Sequence, residues 1–116
     1  MTTSTKMFGV PVVGDLDGDK DSDAAVMLVD TPGGTGTFYY IAAAINTGHG
    51  YQGTNAILLG DRIAPQTMEI RDGVIIANYA DRKPDEPFSA DPSVGKSLYA
   101  KVVDGKLVEV PAPIVK

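Results

Sequence analysis

Five aspartates fall on alternate positions in one short run, at Asp15, Asp17, Asp19, Asp21 and Asp23, with Gly14 and Gly18 among them. Carboxylates at that spacing can all turn inward when the chain curls. Their oxygens suit a hard cation such as Ca²⁺, which takes six to eight oxygen ligands in a flexible loop. Asp15, Asp17, Asp19 and Asp23 are the expected side-chain ligands. Asp21 is expected to contribute through its backbone carbonyl or a water. The other reading is a solvated turn, because Asp and Gly also dominate turns. Against it stands charge: the run carries −4 of the chain's net −5, and so many carboxylates at close range repel one another.

The helix-loop-helix calcium motif is not met, because its sixth and twelfth positions hold Lys20 and Val26 instead of Gly and Glu. The run instead resembles the Asp-x-Asp-x-Asp-Gly-x-x-Asp calcium loop of integrin-type propeller blades, matched at Asp15, Asp17, Asp19 and Asp23. Lys20 stands where that pattern has Gly. A left-handed Lys there costs about 1–2 kcal/mol, and its ammonium competes with an ion, so the expected binding is weak.

No other constellation is as specific. Asp61-Arg62 and Asp81-Arg82 each follow an apolar run, which places them at strand ends. Pairing as salt bridges is their expected role, and the two Arg could hold a small anion. An alternative is a small hydrolase, with Asp61 and Asp81 doing acid–base work if their carboxyls stand about 5–9 Å apart. His49 is the only histidine and lies between two glycines, as a solvated turn residue would. Gly33, Gly34 and Gly36 lack the Lys-Ser/Thr of a phosphate loop. With no Cys, thiolate metal sites and disulfides are excluded. The acidic balance and scattered Lys and Arg disfavour nucleic acid as a partner. No apolar stretch is long enough for a membrane-spanning helix.

These residues need a scaffold, and the sequence reads as mainly β. Ala24–Val29 is continuously apolar and is expected as a central strand buried on both faces. Thr37–Asn46 is expected as a long strand, with a helix over 37–46 as the alternative because of its three Ala. Residues 47–53 read as loop, and 55–59 as a strand. Asp72-Gly73 joins Gln66–Arg71 to Val74–Tyr79, and Asp104-Gly105 joins Lys96–Val103 to Lys106–Val110. Asp-Gly between alternating runs marks a type I′ hairpin. A two-residue loop pairs Arg71 with Val74 and Met68 with Ala77, so Met68, Ile70, Ile75, Ala77 and Tyr79 share the core face. Residues 81–92 carry three Pro and mixed charge; they are expected as a surface or recognition loop held down by Phe88.

The expected architecture is one antiparallel sheet, or a small two-sheet or open-barrel domain, over residues 7–110. Residues 1–6 are expected as a disordered leader and 111–116 as an extended tail. The ordered set Gly14–Asp19, Asp23–Val26, Gly33–Phe38, Leu59–Arg62 and Asp81–Pro84 resembles a small domain of bacterial exported proteins and lipoproteins of unassigned function. That resemblance implies an envelope or periplasmic setting and no catalytic chemistry. The functional expectation is a non-enzymatic domain with a structural Ca²⁺ loop that binds a protein partner. The alternative is a metal-free structural or oligomerisation domain, self-associating as a homodimer through Val74 and Ile76 with Tyr39 and Tyr40.

Overall fold

The two Asp-Gly turns set the register of half the molecule. In the computed structural model, which describes residues 4–18, 20–31, 36–87 and 89–111, Asp72 and Asp104 have φ of 52° and Gly73 and Gly105 have φ of 77°. Positive φ at both central residues is the type I′ geometry, whose twist matches that of the flanking strands. It fixes the pairs Arg71↔Val74, Ile70↔Ile75 and Met68↔Ala77, as the sequence predicts.

Nine strands result among the described residues: β1 (Ser4–Gly14), β2 (Asp23–Thr31), β3 (Phe38–Asn46), β4 (Tyr51–Gly53), β5 (Ile57–Asp61), β6 (Ala64–Arg71), β7 (Val74–Asp81), β8 (Val94–Val103) and β9 (Lys106–Val110). They form two antiparallel sheets. The first runs β1-β2-β3-β4, with β5 on the same side of β3 as β4; the second is the meander β6-β7-β8-β9. The expected two-sheet β domain is therefore the observed one, and it is not a barrel.

The sheets share one core. Ala25, Met27, Ile41, Ala43 and Leu59 of the first face Ile75, Ala77, Tyr79, Leu98, Ala100 and Leu107 of the second. Small and large residues alternate in both layers, which lets facing sheets interdigitate about 10 Å apart. Ile41, Ile75 and Leu107 are essentially without solvent contact. Asn55 stitches the layers together: its side-chain amide donates to the Leu107 carbonyl at 2.9 Å, and its carbonyl accepts the Leu107 N–H at 2.9 Å. That pair copies a strand's hydrogen bonds and caps the free edge of β9, the kind of edge that otherwise recruits another chain.

Several expectations are corrected. Residues 37–46 form strand and no helix, because β3 lies along β2 with Ala24↔Ala44 and Ala25↔Ala43 in register, and that pairing overrides alanine's helical preference. β2 is central, but only Asp23, Ala25 and Met27 are buried; Ala24, Val26 and Leu28 are half-buried on the outer face. Strand pairing begins at Ser4, opposite Thr31, so residues 4–6 are ordered as part of β1. Residues 51–53 form β4 where a loop is expected. Tyr39 packs on the core, Tyr40 lies in the first sheet, and Val74 and Ile76 lie in the second, so the four form no common patch. Residues 32–35 and 112–116 lie outside the described residues.

Two predictions follow from this packing. Asn55→Ala leaves both Leu107 backbone groups without their partner and destabilises the fold by about 1–3 kcal/mol, measurable by urea unfolding. The Tyr79 hydroxyl has its pKa raised, chiefly by desolvation, with Asp81 and Glu109 adding to the rise against the opposing Lys96. Raised in the fold, it contributes stability that is present below the unfolded value of about 10 and lost as pH climbs through the folded one. Tyrosinate absorbance should show a late-ionising component, and Tyr79→Phe should remove it.

Candidate metal site

The acidic run forms the connection between β1 and β2, whose last pair is Gly14↔Asp23. Leu16, lying between two aspartates, explains why the connection curls inward: its side chain is buried in the shared core. Burying it draws its backbone N–H to within 2.7 Å of Asp23 Oδ2. Asp23 Oδ1 accepts the N–H of Asn46, at the end of β3, at 2.8 Å. Asp23 is fully buried and binds the connection to the sheet with both oxygens.

Asp15 organises the outer half of the loop. Its Oδ1 accepts the Gly18 N–H at 2.9 Å, and its Oδ2 accepts the Lys20 N–H at 3.0 Å. Lys20 takes the left-handed conformation expected of it, with φ of 69°. The backbone strain is therefore accepted in exchange for a second hydrogen bond to Asp15. Desolvation is the largest single influence on the Asp15 carboxyl and pushes its pKa up. The hydrogen bonds from Gly18, Lys20 and Asp17 together outweigh it, so the carboxyl stays below its usual range.

Asp15, Asp17 and Asp23 each offer a carboxylate oxygen within 4.8 Å of the others. These three are the expected ligands that the structure brings together. Asp21 is exposed and stands outside the group. Asp19 lies outside the described residues. The donor set is all carboxylate oxygen, which suits a cation that prefers oxygen.

One acidic neighbour was not legible in the sequence. Asp72, of the β6–β7 turn, lines a cleft together with Asp15, Gly14, Gly18, Ile70 and Gly73. Asp-Gly signals only a turn, and nothing in its spacing links it to the run. Gly14 permits the approach: a Cβ there would lie 2.9 Å from Ile70 Cγ2, too close for β1 and β6 to meet as they do.

The remaining candidates make contacts within the fold. Asp61 Oδ1 accepts the Thr37 N–H at 2.8 Å and lies 3.5 Å from Arg62 Nε. Asp81 Oδ1 accepts the Arg82 N–H at 2.7 Å, and its Oδ2 pairs with Lys96 at 3.4 Å. These contacts favour the pairing role over an acid–base role. Arg82 clasps the 81–92 loop from inside, donating to the Ala90 carbonyl at 2.7 Å and the Arg62 carbonyl at 2.6 Å. Phe88, expected to hold that loop, lies outside the described residues. His49 is exposed in the β3–β4 turn.

No family model matches the chain, and neither the curated proteins nor the solved structures contain a significant match to it.

The two inner aspartates should separate by experiment. Asp23→Asn replaces one acceptor by an amide donor facing a backbone N–H, and should cost about 2–3 kcal/mol of stability without any metal present. Asp15, with its pKa depressed, contributes stability that is present above the unfolded value of about 3.9 and lost as pH falls through the lower folded value. Asp15→Asn should therefore flatten the loss of stability in acid below about pH 4, read by thermal melts across a pH series.

Proposed function

We propose that the β1–β2 loop is a weak structural site for a divalent cation of the calcium type, in a domain whose role is binding and not catalysis. The observation that carries this reading is the convergence of the Asp15, Asp17 and Asp23 carboxylates within 4.8 Å of one another. Three carboxylates at that range repel, and a hard cation among them turns the repulsion into attraction. Oxygen-only ligands favour Ca²⁺, Mg²⁺ or Mn²⁺ over metals that prefer nitrogen or sulfur. A flexible loop suits Ca²⁺ better than the strict octahedron of Mg²⁺.

Lys20 keeps the affinity low, so the site is expected in the 10⁻⁴–10⁻³ M range of about the weakest extracellular modules. Millimolar calcium outside the cell would fill such a site, in keeping with the exported setting that the sequence resemblance implies. There the ion would brace the loop against the end of β3 through Asp23 and leave the surface loops to meet a partner protein.

Binding to the folded state alone stabilises it by RT ln(1 + [Ca²⁺]/Kd), so about 5 mM Ca²⁺ on a Kd of about 1 mM adds about 1 kcal/mol. The melting temperature should rise by a few degrees in Ca²⁺ relative to EDTA. Asp17 is the exposed ligand, so Asp17→Asn, melted in Ca²⁺ and in EDTA, should abolish the rise between the two. A melt insensitive to Ca²⁺, or a rise that survives Asp17→Asn, removes the reading.

A further inference from the structure

The outer faces of the two sheets differ in kind. The second sheet shows the alternation expected of a solvated antiparallel face, with Glu69, Arg71, Lys101 and Lys106 pointing outward among Val74, Ile76 and Tyr99. On the first sheet the register places Met7, Leu28, Tyr40 and Leu58 in one cross-strand row. Two residues along the strands lie Val26 and Ala42; two further lie Val13, Ala24, Ala44 and Gly53. These three rows contain no charged residue. Met7, Val13 and Leu58 are 53%, 65% and 50% exposed, and Tyr51 continues the same face at 64%. Polar residues come only beyond the rows, with Asp30 at one end and Asn46 at the other.

From this pattern we propose that the outer face of the first sheet is the interface of a homodimer, built by a two-fold axis running across the strands along the Val26–Ala42 row. A rotation about that axis turns the sheet onto itself and exchanges the rows on either side. It keeps each strand's position across the sheet. Leu28 of one copy then lies over Ala24 of the other, and Tyr40 over Ala44. Leu58 lies over Gly53, because β4 and β5 occupy the same place beside β3. Large residues meet small ones in these three columns, and in the β1 column Met7 meets Val13, so the faces interlock at the spacing of packed sheets. The contact is isologous, each pair occurring twice, as a two-fold interface requires.

The size suits a weak, reversible contact. Four strand positions at about 4.8 Å and three charge-free rows at about 6.7 Å span about 20 × 20 Å, or about 400 Å² per copy. Two copies together bury about 800 Å², the size of a weak or transient interface. An apolar centre with a polar rim is the anatomy of such contacts. The absence of charge in the three rows lets a second acidic copy approach without desolvating an ion.

Sedimentation equilibrium on the intact chain tests this, the expected result being a reversible dimer of the 12.2 kDa protomer. Gly53→Phe is the informative variant. A side chain at Gly53 meets nothing within 4 Å in the protomer, so the fold tolerates it, while it occupies the place of the partner's Leu58. Its dimer dissociation constant should rise at least about 100-fold, as should that of Leu58→Lys, with melting temperature and circular dichroism at low concentration unchanged. Combining Gly53→Leu with Leu58→Ala reverses the large and small partners, and should recover dimerisation lost in Gly53→Leu alone. A strictly monomeric parent chain overturns the proposal. So does a stoichiometry other than two, a dimer indifferent to Gly53→Phe and Leu58→Lys, or a double variant no better than Gly53→Leu.

Discussion

A single buried carboxylate holds the acidic end of the molecule together. Asp23 is the first residue of β2, carries no solvent exposure and spends one oxygen on the Leu16 N–H and the other on the Asn46 N–H. Without it the β1–β2 connection would lose this tie to β3, and two backbone donors would lose their acceptor, at a cost of about 1–3 kcal/mol each. The same bonds fix the direction in which Asp15 and Asp17 point. A structural demand therefore creates the geometry that a cation could use. The carboxylates converge because Leu16 must be buried and Asp23 must be satisfied, and the residual repulsion among them is what an ion would relieve.

The second constraint is the close fit of the two layers. Ala25, Ala43, Ala77 and Ala100 are all buried to within a few per cent and keep the sheets near each other, while Ile41, Ile75, Leu98 and Leu107 fill the spaces between them. Asn55 closes one margin through Leu107, and Gly14 against Ile70 closes the opposite one. Arg82 ties the long 81–92 loop to the corner at Arg62. Polar side chains thus do at the margins what apolar packing does in the middle. The charge-free outer face of β1, β2 and β3 is the feature that the packing between the layers does not account for.

The hairpin half of the chain was legible because its signals are local. Asp72-Gly73 and Asp104-Gly105 specify a turn type, the turn specifies the register, and the register assigns Met68, Ile70, Ile75, Ala77 and Tyr79 to one face. The left-handed Lys20 was legible for the same reason: the curl of the loop demands positive φ at that position. Phe38–Asn46 was harder, because three alanines suit a helix as well as a strand. Only its alignment with β2 decides the matter.

The residue types and their spacing determined by themselves that the chain is a β protein with two tight hairpins and one oxygen-rich loop, since turn chemistry and alternation act within a few residues. Tertiary structure alone decided which aspartates converge and that Asp23 is buried. It also decided that Asp72 lines a cleft with Asp15, and that Tyr39 turns inward while Tyr40 turns outward. Those outcomes depend on which strand lies beside which and on how closely two layers approach. Such distances are set by packing between residues far apart in the chain, and no local pattern encodes them.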